Sequence, residues 1–284
     1  MWIALLLACT PSVPSVVTPE ETGAPLQSTA DTADQAEVLP PDLPGLLVPP
    51  ASLWSESAVC WFLSASNNTR RTKLYAIGMD TGTIEETARF PGINLYTAGM
   101  TYDGESKLLV PAETPTGKMW FVIDLAAGTI EGGIVPTQMA NSVSYDNGKF
   151  YAEAGTWEFN EYSDIDSVLA NTPSRRLTWV SGISRLTVED GILFNAWHST
   201  GEVLKYDVET SELLDTIPLQ GFNTWVWGIG RANGLTHLMD DGRGSSAPIV
   251  RIVSFDDSGN KVQTLLLEEI WPREQPSGLY CQTL

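Results

Sequence analysis

Residues 186–219 read LTVEDGILFNAWHSTGEVLKYDVETSELLDTIPL, and this stretch carries the pattern that decides the fold. An Asp190-Gly191 turn precedes the apolar run Ile192-Leu193-Phe194, and a second turn follows the strand-like run that ends at Asp207. Glycine after Asp or Asn supplies the positive φ angle that tight hairpins require. The stretch therefore predicts short antiparallel strands joined by hairpins.

The same pattern recurs along the chain with a period near 44 residues. Turn glycines separated by 44, 43 and 43 residues precede a strand-like run at Gly104, Gly148, Gly191 and Gly234. Aspartates end another strand in each unit, at Asp80, Asp124, Asp207 and Asp256. Each unit begins with a further glycine, found in the tripeptides AGM, SGI, WGI and SGL. These glycines are Gly99, Gly182, Gly228 and Gly278. Four strands in about 44 residues is typical of a β-propeller blade.

The number of blades follows from the second strand of each unit, which occurs five times. These strands contain Cys60, Leu108, Phe150, Leu193 and Leu235. The first of them has no inner strand before it, whereas Pro276–Thr283 is an inner strand with nothing after it. Pairing of the two removes an exposed edge. We therefore predict an all-β, five-bladed β-propeller closed by the C-terminal strand joining the first blade, with an irregular third blade between Trp157 and Trp179.

One strand and turn also suggest a family. The spelling I-D-L-x-x-G-x-I at residues 123–130 resembles the YVTN and quinoprotein-like propellers. The resemblance covers about residues 58 to 284. It implies a propeller fold and specifies no chemistry.

The charge balance argues against a nucleic-acid partner. The chain has 35 acidic and 16 basic side chains, a net charge of −19, whereas binding to phosphates depends on Lys and Arg. Hydrophobic residues make up 43% of the chain, which is enough to fill a core. Only two histidines are present, His198 and His237, so a His-rich metal site or a hydrolase triad is not expected. We expect neither a metal site nor a cofactor.

The N-terminus has the features of an export signal. Residues 1–8, MWIALLLA, are too short to span a bilayer as a helix, and Cys9 follows them. The order Leu6-Leu7-Ala8-Cys9 resembles the lipobox of bacterial lipoproteins. That resemblance implies cleavage before Cys9, a lipid on its thiol, and a protein facing the periplasm or the cell exterior. The alternative is a buried N-terminal strand in which Cys9 is incidental.

Residues 9–50 predict a disordered tether. Residues 10–50 contain nine of the 18 prolines, six acidic residues and no basic residue, and the first basic residue of the chain is Arg70. Such a composition cannot bury enough apolar surface to offset the entropy lost on ordering. The predicted organisation is a signal peptide at 1–8, a lipidated tether at 9–50 and a propeller at 51–284.

The cysteine count is consistent with ring closure. If Cys9 carries lipid, Cys60 in the first blade and Cys281 in the C-terminal strand remain, and closure makes their strands neighbours. Exported proteins meet oxidising conditions, in which a disulfide persists. We expect a disulfide between Cys60 and Cys281, and the alternative is two buried free thiols.

A ligand site is expected at one end of the propeller, where the longer loops converge. Aromatic and polar residues precede the inner strands, and carboxylates recur after the second strands. The candidate ligand-binding residues are Tyr96, Asn141, Trp179, Trp197, Trp225, Asp240 and Asp241, with Gln275 at an equivalent position. Such a face suits a cation, an amine, a sugar or a peptide N-terminus. The alternative is that the tryptophans pack between blades and the acids are solvated.

An enzymatic alternative comes from a second resemblance. The D-G-x-x-x-N-x-W run from Asp190 to Trp197, with Trp227-Gly228-Ile229 in the next blade, is similar to the glutamine cyclotransferases. The resemblance covers about one and a quarter blades, and the Glu-Gly-Leu signature of that family is absent. It implies formation of N-terminal pyroglutamate, with Glu113 or Glu153 moving a proton and Trp197 and Trp225 holding the substrate. His198 is a further candidate base.

Two functions therefore remain. The first is a membrane-tethered lipoprotein whose propeller binds an extracytoplasmic protein, peptide or small molecule. The second is a cyclotransferase-like enzyme. The absence of a nucleophile elbow, a P-loop or a dinucleotide fingerprint favours the first.

Overall fold

The structure is a computed structural model that describes residues 46–66, 71–91, 95–97, 99–114, 117–134, 142–153, 159–177, 185–196, 201–222, 225–240, 249–270 and 274–284. Within these ranges no helix is long and apolar enough to cross a membrane. The predicted signal peptide, Cys9 and most of the predicted tether lie outside the described residues.

Antiparallel strands form nearly all of the regular structure. In chain order they are β1 (Ala58–Ser66), β2 (Arg71–Gly78), β3 (Ile84–Pro91), β4 (Tyr96–Thr97), β5 (Thr101–Tyr102), β6 (Lys107–Thr114), β7 (Gly117–Asp124), β8 (Thr129–Ile134), β9 (Val143–Asp146), β10 (Lys149–Glu153), β11 (Phe159–Tyr162), β12 (Arg175–Leu177), β13 (Arg185–Glu189), β14 (Ile192–Ala196), β15 (Glu202–Asp207), β16 (Leu213–Pro218), β17 (Val226–Ala232), β18 (Leu235–Asp240), β19 (Arg251–Phe255), β20 (Lys261–Leu266) and β21 (Gln275–Thr283). A 3₁₀ helix at Ala51–Leu53 and a short helix α1 at Ile165–Leu169 complete the described elements.

The strands form five sheets, and each sheet is one blade. The orders are β21-β1-β2-β3, β4-β6-β7-β8 with β5 also paired to β6, β9-β10-β11-β12 from the inner edge outward, β13-β14-β15-β16 and β17-β18-β19-β20. The prediction of five blades is confirmed. The four turn glycines also have the expected positive φ angles, between 70° and 81°.

The C-terminal strand closes the ring as predicted. Strand β21 is the inner strand of the first blade and pairs antiparallel with β1, with Cys60 directly opposite Cys281. These two cysteines form a disulfide with a Cα–Cα distance of 4.0 Å. The strands nearest the ends of the propeller sequence are thus joined by a backbone ladder and by a covalent bond.

The inner strands surround a central channel with two different ends. Each inner strand contacts the next around the ring, and β21 contacts both β17 of the fifth blade and β4 of the second. Hairpins join first to second strands at the end that we call the turn face. The connections between second and third strands, and those between blades, lie at the opposite end, which we call the loop face.

Apolar side chains fill the space between neighbouring blades. Successive residues of a strand point to opposite faces of a sheet, so each blade contributes to two cores. Trp61 and Leu63 pack toward the second blade, whereas Cys60 and Phe62 pack toward the fifth. The described residues form five such clusters, one at each blade interface including the closing one.

The third blade departs from the repeat, as its sequence suggested. Where other blades have an aspartate-led turn between their third and fourth strands, this blade has α1. Asp164 caps the helix by accepting the backbone N–H of Ser167 at 2.7 Å, and Ser167 Oγ accepts the N–H of Asp164 at 3.2 Å. This reciprocal capping satisfies two of the donors at the start of a helix.

Candidate functional site: the two ends of the channel

Several of the residues selected from the sequence lie at the loop face. They lie at or just before the start of inner strands, or at or next to the end of second strands: Tyr96, Glu113, Glu153, Trp225, Asp240 and Gln275. Tyr96 is the register partner of Glu113, and Val226, next to Trp225, is the partner of Asp240. The backbone therefore brings an aromatic and an acidic position side by side in two blades.

Asp240 is a buried ion-pair residue. Its side chain is 0% exposed, and Arg251 Nε on the neighbouring strand β19 donates to its Oδ2 at 2.8 Å. A buried carboxylate is stable only with such a partner. The Arg251 side chain is 29% exposed, so part of this paired guanidinium reaches the solvent.

Glu153 ends the second strand of the third blade and is 3% exposed. Its backbone N–H donates to the carbonyl of Ser142 at 3.2 Å, which ties the strand end to the start of the inner strand. The loop face thus has a carboxyl group beneath its surface here, close to the inner edge of the blade.

Trp225 is a large exposed aromatic residue at the same face. Its side chain is 46% exposed, immediately before β17. Exposed tryptophan combines a wide apolar surface with an N–H donor, and it is enriched where proteins bind ligands. Trp225 can therefore stack on a ligand held at the loop face.

The other selected residues cannot be placed in the same way. Asn141, Trp179, Trp197, His198 and Asp241 lie outside the described residues. For Tyr96 and Glu113 only the backbone position is described. Their predicted roles stay predictions.

The turn face holds a cavity that the sequence did not indicate. It has a volume of about 310 Å³ and is lined by the C-terminal halves of inner strands and by Leu46. Its polar lining includes Tyr145, Asp146, Glu189, Arg231, Tyr280 and Gln282. Polar side chains therefore line most of this end of the channel.

Arg231 balances the acidic groups around this cavity. Its guanidinium donates to Glu189 Oε2 at 3.0 Å and to Asp257 Oδ1 at 2.9 Å, and its Cζ lies 4.2 Å from the ring centroid of Phe194. The side chain is 6% exposed, and its charge is paired with these two carboxylates. Arg231 thereby joins the fourth and fifth blades and is held in place.

Tyr280 lines the cavity from the closing strand. Burial, together with the neighbouring Tyr102 and Tyr145, raises the pKa of its phenol well above the ordinary value. The phenol therefore remains protonated at physiological pH and acts as a neutral donor or acceptor. Its ring also packs on Trp61, with centroids 5.9 Å apart.

Neither end offers a cluster suited to a metal ion within the described ranges. No group of three or more His, Cys, Asp or Glu side chains converges there. Asp256, at the turn after β19, accepts the backbone N–H groups of Ser258 and Asn260 at 2.9 Å and is thus occupied by the turn itself.

The features missed by sequence reasoning share a cause. Gln282 and Arg231 lie on inner strands, where the sequence showed only glycine-rich motifs. A charged residue within the otherwise small and apolar WGIGRA run was a signal for Arg231. Gln282 gave none, because its partner Leu47 lies 235 residues away.

Known structures align with this chain at low sequence identity. A glutaminyl cyclase from Myxococcus xanthus aligns with 60% of this chain and 70% of its own length, at 13% identity and a TM-score of 0.46. A chain of a nidogen–laminin complex aligns with 78% of this chain and 98% of its own, at 9% identity and a TM-score of 0.50. The likeness to the nidogen–laminin chain shows the fold alone. No protein-family model and no curated protein matches the sequence.

Proposed function

We propose that the protein is an exported lipoprotein whose propeller is a binding module held to a membrane through Cys9. The support for export is the apolar run 1–8 followed by Cys9, and the disulfide that fits an oxidising compartment. The support for a binding role is a closed, covalently secured ring with a polar channel. Such rings present loops from every blade around one opening.

The proposed binding surface is the loop face, and its ligand is a peptide or other amine-bearing molecule. The observation that carries this choice is Trp225, 46% exposed beside the Asp240–Arg251 pair. On the fifth blade, the aromatic ring and the partly exposed guanidinium offer stacking and a carbonyl-binding donor, and Glu153 of the third blade is the proposed amine-binding acceptor. A peptide N-terminus combines all three complementary features.

A titration with one defined peptide tests this proposal. The probe is a short peptide with a free N-terminal glutamine, compared with its N-acetylated form by calorimetry on the complete protein. We expect binding of the free peptide to be weakened about tenfold or more by Trp225→Ala, since truncating a binding hot spot costs about 2 kcal/mol or more. Leu213→Ala is the matched control, because Leu213 is 54% exposed but lies on the outer strand β16. Equal affinity of the two variants for the free peptide would refute the assignment of the site. So would a failure of both peptides to bind the parent protein.

A second function is favoured by Glu153 and by the run from Asp190 to Trp197. In a glutaminyl cyclisation the N-terminal amine attacks the side-chain amide carbon, a lactam bond forms, and ammonia leaves. A carboxylate beside the amine would accept its proton and return it to the departing ammonia. Glu153 is buried at the loop face, where such a group would be required.

The same peptide separates the two functions. Incubation with the protein, followed by mass spectrometry, detects loss of ammonia from the free peptide. We expect binding without this loss. Turnover that disappears in Glu153→Gln would overturn the binding-module proposal in favour of the enzyme.

A further inference from the structure

The segment Leu46–Pro50 lies on the turn face and is hydrogen-bonded to the closing strand. Gln282 Oε1 accepts the backbone N–H of Leu47 at 2.9 Å, and Gln282 Nε2 donates to the carbonyl of Leu47 at 2.6 Å. The Gln282 side chain therefore pairs with both backbone groups of one residue, as a neighbouring strand would. Gln282 is 4% exposed, so these bonds are shielded from water.

Further contacts fix the segment on both sides of Leu47. Leu46 lines the cavity of about 310 Å³, and Leu47 packs against the core between the first two blades. The carbonyl of Pro49 accepts the indole N–H of Trp54 at 2.9 Å. Val48, by contrast, is 51% exposed and faces outward. The segment is thus fixed at this end of the channel, with Leu46 against the cavity and Leu47 on the core between the first two blades.

We propose that Leu46–Pro50 is a strap that partly covers the turn-face cavity, with Gln282 as its fastening. The described contacts carry this role whichever ligand the loop face binds. The strap is not part of the ring.

The covalent structure makes the strap separable from the fold. Gln282 follows Cys281, whose disulfide to Cys60 fixes β21 to β1 at the adjacent position. Release of the strap therefore leaves the closing ladder and its disulfide in place. Opening of the strap and unfolding of the ring are expected to be distinct events.

Amide hydrogen exchange tests the fastening. Pro49 and Pro50 have no N–H, so Leu47 and Val48 report on the strap. We expect Gln282→Ala to speed exchange at Leu47 at least tenfold, because a backbone donor and acceptor lose their partners. Amides in the core of β1, such as Leu63, should exchange as before. The matched control is Gln263→Ala, a glutamine of β20 that donates to the carbonyl of Met79 at 2.7 Å and does not touch the strap.

A second variant tests the strap from its own side. Leu47→Pro removes the N–H that Gln282 accepts and changes no residue of the ring. With tetranitromethane as the probe, we expect nitration of Tyr280 to rise several-fold in both Gln282→Ala and Leu47→Pro, and not in Gln263→Ala. Unchanged nitration in Leu47→Pro, or equal Leu47 exchange in the two glutamine variants, would overturn the proposal. Failure of Gln282→Ala to fold, with Leu47→Pro folded and its Tyr280 protected, would also contradict it.

Discussion

At the scale of single residues, His237 shows how burial sets a charge state. Its side chain is 1% exposed within β18, and its Nδ1 lies 2.8 Å from Ser254 Oγ. Burial lowers the pKa of the imidazole from 6.5 to about 4, and the charge of Arg231 acts in the same direction. A hydrogen bond with the backbone of Ala232 acts in the opposite direction and is outweighed. The ring is therefore neutral in the folded protein at pH 7.

This residue makes stability depend on pH. Between pH 6.5 and about 4 the histidine of the unfolded chain binds a proton that the folded protein does not bind. Stability therefore falls as the pH falls through that window, by about 3 kcal/mol from this group, and it is fully present above pH 6.5. We expect the free energy of unfolding of the parent to decrease more steeply from pH 7 to pH 4 than that of His237→Gln.

Urea unfolding at a series of pH values measures this difference. His198→Gln is the control, since it removes the other histidine of the chain and should keep the steep dependence. A His237→Gln variant with the same pH profile as the parent would show that the buried imidazole is not responsible.

At the scale of elements, the closing strand β21 explains two features of the sequence, the cysteine pair and the glycines of the inner strands. Its ladder with β1 places Cys281 opposite Cys60, and the glycines of β17 allow a close approach. A side chain at Gly230 would meet Cys281 Sγ at 2.5 Å, and one at Gly228 would meet Leu279 at 2.7 Å. The glycine motifs of the inner strands thus reflect crowding near the channel.

The disulfide of this element predicts a stability effect. The bond joins residues 221 positions apart, so it lowers the conformational entropy of the unfolded chain by closing a long loop. We expect the double variant Cys60→Ala/Cys281→Ala to lose about 4 kcal/mol of unfolding free energy. Denaturant unfolding measures it, with Cys9→Ala as a control that retains the bond. If both variants unfolded at the same denaturant concentration, the disulfide would not stabilise the ring.

The elements also show what the sequence could predict. Turn glycines, terminal aspartates and apolar runs repeat along the chain. Their positions were enough to predict the five blades and the closure of the ring by the C-terminal strand. Helix α1 was missed, because its capping pair Asp164 and Ser167 lies where the repeat pattern breaks. The partner of Asp240 was missed too, since strand alternation shows burial but not that Arg251 of the next strand neutralises it.

At the scale of the whole molecule, an apolar cluster of described residues fills each of the five interfaces between blades. Each of the five apolar clusters joins two neighbouring blades, and side-chain hydrogen bonds add to them near the channel. Ser142 Oγ accepts the N–H of Leu186 at 2.9 Å, and Ser144 Oγ accepts that of Val188 at 2.8 Å, which joins the third and fourth inner strands. A rigid ring of this kind suits a module that presents a fixed surface.

The proposed anchor gives this ring an orientation. The chain reaches the propeller through Leu46–Pro50 at the turn face, so the loop face lies at the end of the channel opposite the strap. A propeller held from its N-terminal side would keep the loop face accessible to a ligand. Cys60 and Cys281 close the ring, and Cys9 has the proposed role in attachment.

A mass-spectrometric map of the three cysteines tests that account most directly. The complete chain would be produced in a bacterium, extracted from the membrane fraction and digested without reduction. The account predicts an acylated N-terminal Cys9 and a single disulfide-linked peptide pair that contains Cys60 and Cys281. An unmodified Cys9 in an uncleaved N-terminus, or a disulfide from Cys9 to either of the other two, would contradict it.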